Sequence, residues 1–327
     1  MDRTGRKAPN ESSSKETMLQ FLGKYGTVIG LGVLFLVFTF LKPHVFLTLS
    51  NMLNILNQIA LVSIISGGLT CAMVMMEFDL SFGTLSCFAG CLAIGEAARF
   101  GTLGGVVLGI LAGVAVGLVN GSVVFFLGVS AFIATIAMMS ILTGLTYWYT
   151  GGATIFYGIP PAFLAIARGT IAGIPNLVVI MAIVLFLLWL LLSHTEIGRQ
   201  MYAVGGNPVA AKFSGINIGK CKLVGFAICS TCAALTGILL TSRIGAGHPT
   251  GGEVFLLEAF TAVFLGAATI RVGQFHIMGT LIGSLLMGVL TNGLTILHVQ
   301  YFYQHIITGV ILIFAVSASG ITRRITI

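Results

Sequence analysis

Charge is what this chain has least of. Asp, Glu, Lys and Arg make up only 8% of its 327 residues, against roughly 25% in soluble domains, which excludes a soluble enzyme. Motifs for phosphate binding are missing too. The nearest approach to a GxxxxGK[ST] loop, Gly215-Ile-Asn-Ile-Gly219-Lys220-Cys221, is one residue short and ends in cysteine, so the chain is not expected to hydrolyse ATP. There is no HExxH and no Ser/His/Asp set, and no catalytic residue is assigned. His276, His298 and His305 lack paired metal spacing and read as interfacial or packing residues. The cysteines, at Cys71, Cys87, Cys91, Cys221, Cys229 and Cys232, fall in or beside apolar runs. Cys229-x-x-Cys232 lies inside one run and reads as small packing residues rather than a metal or redox pair. No metal site and no cofactor bound by the chain itself are expected. The amino terminus carries no cleavable signal pattern.

What remains is overwhelmingly apolar: 57% hydrophobic residues and a mean hydropathy of +1.06. Lipid permits only helices or closed barrels, and the apolar runs are continuous rather than alternating, so the fold class is an all-α polytopic membrane protein. A span needs about 20 apolar residues, which gives about ten transmembrane helices. The runs are 26–41, 52–76, 80–98, 103–127, 131–150, 175–193, 222–243, 254–270, 277–297 and 302–319, and Gly67-Gly68 is the place where the second could break.

With the amino terminus inside, twelve of the sixteen Lys and Arg fall on the inner side. These are Arg3, Arg6, Lys7, Lys15, Lys24, Arg199, Lys212, Lys220, Lys222, Arg271, Arg323 and Arg324; Lys42, Arg99, Arg168 and Arg243 fall outside. The net charge of +7 therefore reports topology rather than a nucleic-acid partner. Both termini are expected in the cytoplasm. Residues 1–24 read as a disordered cytoplasmic tail, 25–320 as the transmembrane domain with a cytoplasmic loop at 194–221, and 321–327 as a second tail. Five helices per half would make the halves inverted relative to each other. Asn120-Gly121 and Asn292-Gly293, in similar surroundings at 118–133 and 289–306, are a faint echo of such a repeat.

Polar features inside this apolar frame are few. Gly105, Gly109, Gly113, Gly117 and Gly121 recur every fourth residue and form a side-chain-free ridge suited to close helix packing. Glu77-Phe78-Asp79-Leu80-Ser81-Phe82-Gly83 puts two carboxylates between apolar segments. An ionised group at mid-membrane costs about 2.5–3.5 kcal/mol on insertion scales. Two readings stand together: Asp79 or Ser81 caps a broken or re-entering helix, and Glu77, Asp79 and Ser81 line a solute path. Glu253 and Glu258 form an acidic rim at the start of the eighth run, with Glu258 a further pathway candidate; Glu96 pairs locally with Arg99. The polar island Gly198–Asn217, GRQMYAVGGNPVAAKFSGIN, has the grammar of one short exposed helix. Asn207 suits the N-cap, Pro208 the first helical position, Lys212 the last turn and Gly215 a left-handed stop after Phe213 and Ser214.

Together with segments elsewhere in the chain, this island resembles the permease subunits of ribose/xylose-type (simple sugar) ABC importers. The similarity rests on Gly198, Arg199, Tyr202, Gly205, Gly206, Asn207, Ala210, Ala211, Ser214 and Gly215. It continues through LTSRIGAGHPTGG (240–252), LEAFTAVFLGAATI (257–270), GTLIGSLLMGVLTNGL (279–294), EFDLSFG (77–83) and FIATIAMM (132–139). It spans roughly Asn51 to Ala318. Two places depart from the pattern: Glu77-Phe78 stands where many sugar permeases carry Gly-Ile, and Ala267 to His276 replaces a glycine-rich stretch.

The resemblance implies a permease of the bacterial inner membrane for a monosaccharide or similar small polyhydroxylated solute. Its implied partners are an ATP-binding subunit that carries ATP and magnesium, a periplasmic sugar-binding protein, a second permease copy (identical or related) and membrane lipid. Arg199, Tyr202, Asn207, Pro208, Ala211, Lys212, Ser214 and Gly215 would form the contact with the ATPase. A branched-chain amino acid or nucleoside permease of the same superfamily is the alternative within transport. A self-sufficient carrier using Glu77 and Asp79 as proton or cation sites is the rival from another class.

Overall fold

The computed structural model describes residues 11–271 and 273–325, with side chains from 25 to 271 and 273 to 315. The expectations for residues 1–10, Val272 and 326–327, among them Arg3, Arg6 and Lys7, lie outside the described residues, as do the side chains of Lys15, Lys24, Arg323 and Arg324. Among the described residues the chain is mostly helix joined by short irregular connections, with one short hairpin, as a backbone that must satisfy its own polar groups in lipid requires. Helix α1 (Glu11–Leu41) and the single turn α2 (Pro43–Phe46) lead into α3 (Leu49–Met73), which Thr48 caps by accepting the Asn51 N–H. After an irregular stretch at 74–81 come α4 (Phe82–Phe126) and α5 (Ala131–Thr150). A connection then carries α6 (Pro161–Arg168) and the antiparallel pair β1 (Thr170–Ile171) and β2 (Ile174–Pro175). Helix α7 (Asn176–His194) precedes the polar island, which folds as α8 (Glu196–Gly206) and α9 (Pro208–Phe213). The last part comprises α10 (Ile218–Ile244), α11 (Phe255–Ala267), α12 (Ile277–Ile296) and α13 (Tyr301–Ile325).

Among the described residues α3, α4, α5, α7, α10 and α12 are long and apolar enough to cross a membrane, and Tyr25–Leu41, Phe255–Ala267 and Tyr301–Ala315 are shorter apolar helices. The chain is an all-α polytopic membrane protein. Helix α4 needs a closer look, because 45 residues would span roughly 68 Å if straight. It is not straight. Gly101 has φ 75° and ψ 170°, a region open essentially to glycine alone, and the chain turns back on itself there. A methyl group on Gly105 would strike Ala93 O and one on Gly109 would meet Ala89 O at 3.0 Å, so the two arms of α4 run antiparallel. This reversal separates the runs 80–98 and 103–127.

Two boundaries differ from the sequence reading. Gly67 and Gly68 do not interrupt α3; both are helical, because their bare faces admit Leu185 and Leu188 of α7 and Cys232 of α10. Helices α1 and α13 reach further than the apolar runs, so α1 overlaps the segment 1–24 and α13 overlaps 321–327. Once nucleated, a helix adds one bond for each further residue fixed.

The bundle is organised around α10. The ridge that begins against the first arm of α4 continues along α10: a methyl on Gly113 would lie 2.5 Å from the Ala234 Cβ, one on Gly117 2.6 Å from Phe226 O, and one on Gly121 2.9 Å from the Leu223 Cα. Gly90 and Gly237 approach each other's helices in the same way, with Gly237 lying on the Ser86 carbonyl. Helices α11 and α12 form a second hairpin, closed where Gly266 meets Gly279 and Gly283 meets Ala262. Lipid tails give little hydrophobic drive between helices, so such backbone contact is what holds the bundle. At the α10 carboxyl terminus Arg168 donates from Nε to Arg243 O at 3.0 Å and from Nη2 to Ile244 O at 2.8 Å. At the end of α12, Asn292 and Asn51 exchange amide hydrogen bonds of 3.0 and 3.1 Å.

Gly117→Leu is expected to lower the thermal stability of the detergent-purified protein by the equivalent of about 2–3 kcal/mol, whereas Gly144→Ala, which meets nothing within 4 Å, leaves it unchanged or slightly raised. Equal melting temperatures for the two variants would contradict backbone contact along the ridge.

Candidate functional site

The polar island folds without slack. Thr195 caps α8 by accepting the Gly198 N–H at 3.2 Å, and Asn207 ends α8 and begins α9. The Asn207 side chain accepts the N–H groups of Val209 and Ala210, both at 3.0 Å, so two of the four orphan donors of α9 are satisfied. Pro208 occupies the first turn. At the other end Gly215 takes φ 81°, the left-handed conformation glycine adopts at no steric cost, and Ile216 N–H returns to Ala211 O at 3.1 Å. Asn217 then caps α10 through the Lys220 N–H at 3.0 Å. Three helices thus follow one another with a cap at every junction.

Ala211 is the buried foot of α9, while Asn207, Pro208, Lys212, Ser214 and Gly215 are exposed around it, as is Arg199 on α8. Two more residues belong to this surface: Val209 is 64% exposed and Phe213 88%. A phenylalanine this exposed at the end of a capped helix contributes little to the packing of this chain. Its signal was present in the sequence as the only aromatic side chain of PVAAKF. Tyr202 faces inward. Its hydroxyl donates to Phe275 O at 2.9 Å, and burial pushes it above the usual tyrosine range. Gly205 lies against the Val74 carbonyl, with no room for a side chain.

The 77–83 segment is the irregular joint between α3 and α4. Met76 turns it with φ 60°. Glu77 Oε1 pairs with Lys222 Nζ at 2.5 Å, both side chains largely buried. Asp79 is fully buried; its Oδ1 accepts the Ser81 N–H at 2.8 Å and the Ser81 hydroxyl at 2.6 Å. Ser81 in turn accepts the Asn120 amide at 3.0 Å. Ser81 stands at the N-cap position of α4 but its side chain does not cap, because its hydroxyl is committed to Asp79. Asp79 Oδ2 has no hydrogen-bond partner among the described residues and sits at a helix N-terminus, where the dipole favours negative charge. Thr135, from the 132–139 motif, receives the Leu80 N–H at 3.0 Å and pins the joint to α5. Both residues of the Glu77-Phe78 departure have work here: Glu77 holds Lys222, and Phe78 stacks on Phe260 with centroids 6.4 Å apart.

A file of rings continues from that contact. Phe260 and Phe264 are 6.3 Å apart and Phe264 and Phe275 5.7 Å, which reaches the carbonyl held by Tyr202. The next residue in the chain, His276, caps α12: its Nδ1 accepts the Gly279 N–H at 2.9 Å, so the proton sits on Nε2, 3.0 Å from Thr269 O. Burial, with a smaller effect of Arg271, holds this imidazole below its ordinary value of 6.5. It is a structural cap, a role its lone position did not announce. Glu96 meets Arg99 at 3.4 Å and also accepts the Tyr149 hydroxyl at 2.7 Å.

Glu258 stands apart from Glu77, Asp79 and Ser81. It lines a cavity of about 540 Å³ between α3, α10, α11, α12 and α13, together with Gln58, Arg243, Ser284, Thr291 and Gln304. The other three pathway candidates do not line it. Among the described residues no group of three or more His, Cys, Asp or Glu could hold a metal ion.

A bundle of apolar helices with a cavity of mixed polar and apolar lining and a capped projection is the build of a membrane transport protein. Residues 51–316 match the family model described as "Branched-chain amino acid transport system / permease component", and the chain belongs to that family. It is 37% identical over 294 residues to the ribose import permease protein RbsC of Escherichia coli (strain K12), covering 89% of this chain and 91% of the relative. It is 38% identical over 295 residues to RbsC of Bacillus subtilis (strain 168), with 90% and 91% covered. To the D-allose transport system permease protein AlsC of Escherichia coli (strain K12) it is 32% identical over 323 residues, with 96% and 98% covered. No solved structure matches.

Reversing one charge, Glu77→Lys or Lys222→Glu, is expected to destabilise the purified protein by about 2 kcal/mol, and the double reversal to recover most of it; two additive losses would show that the pair is not coupled. For His276→Ala the expected loss of cap stability, about 1 kcal/mol, is present above pH 6.5, the unfolded value. It fades as pH falls through the lower folded value, because the native protein must then protonate Nδ1. Thermal unfolding of both proteins at about pH 7.5 and about pH 5 checks this; a difference that grows in acid contradicts it.

Proposed function

We propose that this chain is the permease subunit of an ATP-driven, binding-protein-dependent importer that carries a monosaccharide or similar small polyhydroxylated solute across the bacterial inner membrane. The observation that carries the reading is the capped α8–α9–α10 unit, a rigid projection with an exposed Phe213 and Val209 and no chemistry of its own. A partner moving such a unit moves it as a body. The relatives named for ribose and allose transport support a sugar cargo, although the family description names branched-chain amino acids.

In this reading α9 docks on an ATP-binding subunit that carries ATP and magnesium. Arg199, Asn207, Pro208, Lys212, Ser214 and Gly215 form or shape the contact, Ala211 seats it, and Phe213 inserts into the partner. Tyr202 and Gly205 pass the movement to the α11–α12 connection and to the end of α3. A periplasmic binding protein delivers cargo on the opposite face, and a second permease copy, identical or related, completes the pathway. With the two arms of α4 counted separately, the six long and three shorter apolar helices make ten spans, with both termini in the cytoplasm. The glycine-closed hairpins of α4 and of α11–α12, each leading to an Asn-Gly pair, support two inverted halves. The ion-coupled carrier is disfavoured because Glu77 is occupied by Lys222.

Reconstituted with its ATPase and binding protein, the chain is expected to take up sugar, and alone to take up none. Asn207→Pro and Gly215→Val should abolish uptake while membrane insertion persists. Phe213→Ala should weaken ATPase association at least about tenfold. Uptake by the chain alone in liposomes, or normal uptake by both helix-breaking variants, would overturn the reading.

A further inference from the structure

The cavity lined by Glu258 has a composition that the transport reading does not by itself require. Arg243 comes from the last turn of α10 and Glu258 from the first turn of α11. Each charge is therefore stabilised by the dipole of its own helix. Among the described residues neither side chain forms an ion pair or a hydrogen bond with the other or with any third group. Arg168 already satisfies the carbonyls at the end of α10, so the Arg243 guanidinium is not needed there. Gln58 and Thr291 likewise make no side-chain hydrogen bond, and Gln304 holds only the Val299 carbonyl and, weakly, Thr295. Ser284 is 1% exposed, lines the same cavity, and has a hydroxyl without any hydrogen-bond partner.

An unpartnered buried hydroxyl costs about 1–3 kcal/mol, and half-buried ionisable groups without a protein partner are free to meet a solute in the cavity. Beside the apolar Ile59, Val62, Met287 and Val299, the polar part of the lining is balanced: five donors on a guanidinium, acceptors on a carboxylate, and amides and hydroxyls that do both. Such a lining satisfies a neutral solute whose groups each donate and accept, and disfavours a net anion at Glu258 or a net cation at Arg243. At about 540 Å³ the chamber lies in the usual range of small-molecule sites.

We infer that Gln58, Arg243, Glu258, Ser284, Thr291 and Gln304 form a solute-binding chamber within the permease itself that selects neutral polyhydroxylated molecules. The inference deepens the transport reading and rests on it. The chain would then contribute to selectivity rather than serve as a neutral conduit.

All six native cysteines are buried, so Thr291→Cys introduces one reporter thiol. In vesicles holding the chain with its ATPase, a membrane-impermeant maleimide is expected to label it from the external face. D-ribose, D-glucose or xylitol at millimolar concentration should slow labelling severalfold, and L-leucine should not. The protection should be lost when Glu258→Gln or Arg243→Gln is added, each a swap that removes the charge and keeps the side chain polar. A thiol that does not react, labelling unaffected by all three neutral probes, or protection by L-leucine in their place would overturn the chamber. Sugar uptake by the complete wild-type transporter separates the two claims. Normal uptake with an unprotected thiol removes the chamber alone, and absent uptake removes the transport reading itself.

Discussion

Backbone contact along α10 is the constraint on which the rest of the structure depends. Lipid supplies no drive for helices to pack, so affinity between them comes from dispersion and from weak polar contacts at short range. Glycine makes that range accessible. Gly113, Gly117 and Gly121 bring the second arm of α4 onto α10, while Gly90 and Gly237 do the same for the first arm and Gly68 for α3. With three segments in near-contact, α10 cannot rotate or slide independently of them. It begins at the Asn217 cap, directly after the polar island, and ends at Arg243, in the wall of the cavity. One rigid rod therefore joins the projecting unit to the chamber.

Many of the polar groups that bond across the fold stand where that rod and its neighbours start, stop or break. Asn207, Asn217, Thr195 and His276 close helix termini, Arg168 closes the end of α10, and Asn51 and Asn292 close one end of the α3–α12 contact. Asp79 and Glu77 occupy the joint between α3 and α4, where irregular backbone leaves donors to meet. An unpaired polar group in hydrocarbon costs several kcal/mol, which favours placing such groups where a partner or a cavity meets them. Among the described residues, buried polar atoms without a hydrogen-bond partner include Asp79 Oδ2 and, in the wall of the chamber, the Ser284 hydroxyl.

The fold was legible where it follows from local chemistry. The run 131–150 is helix α5 residue for residue, and the Asn207 cap, the Pro208 start and the left-handed Gly215 are found where their side-chain properties place them. Legibility failed where a neighbour decides. Gly67-Gly68 is where the run 52–76 could break, yet against Leu185, Leu188 and Cys232 it is a contact surface within a continuous helix. Ser81 reads as a cap, but Asp79 takes its hydroxyl. Arg243 reads only as an outside charge. Its role in the cavity wall depends on Arg168, 75 residues away.

The amino-acid sequence by itself determined that the chain is a helical membrane protein and that Asn207 to Gly215 form a capped helix in a polar loop. Those properties come from hydropathy and helix-end chemistry, each readable over a few consecutive residues. Tertiary structure alone decided which glycines touch which backbones, which charges pair and which remain open, and which of Glu77, Asp79, Ser81 and Glu258 line a chamber. These depend on groups brought together from α3, α10, α11, α12 and α13, and in lipid such pairings are set by close fit between surfaces rather than by the hydrophobicity that a linear pattern records.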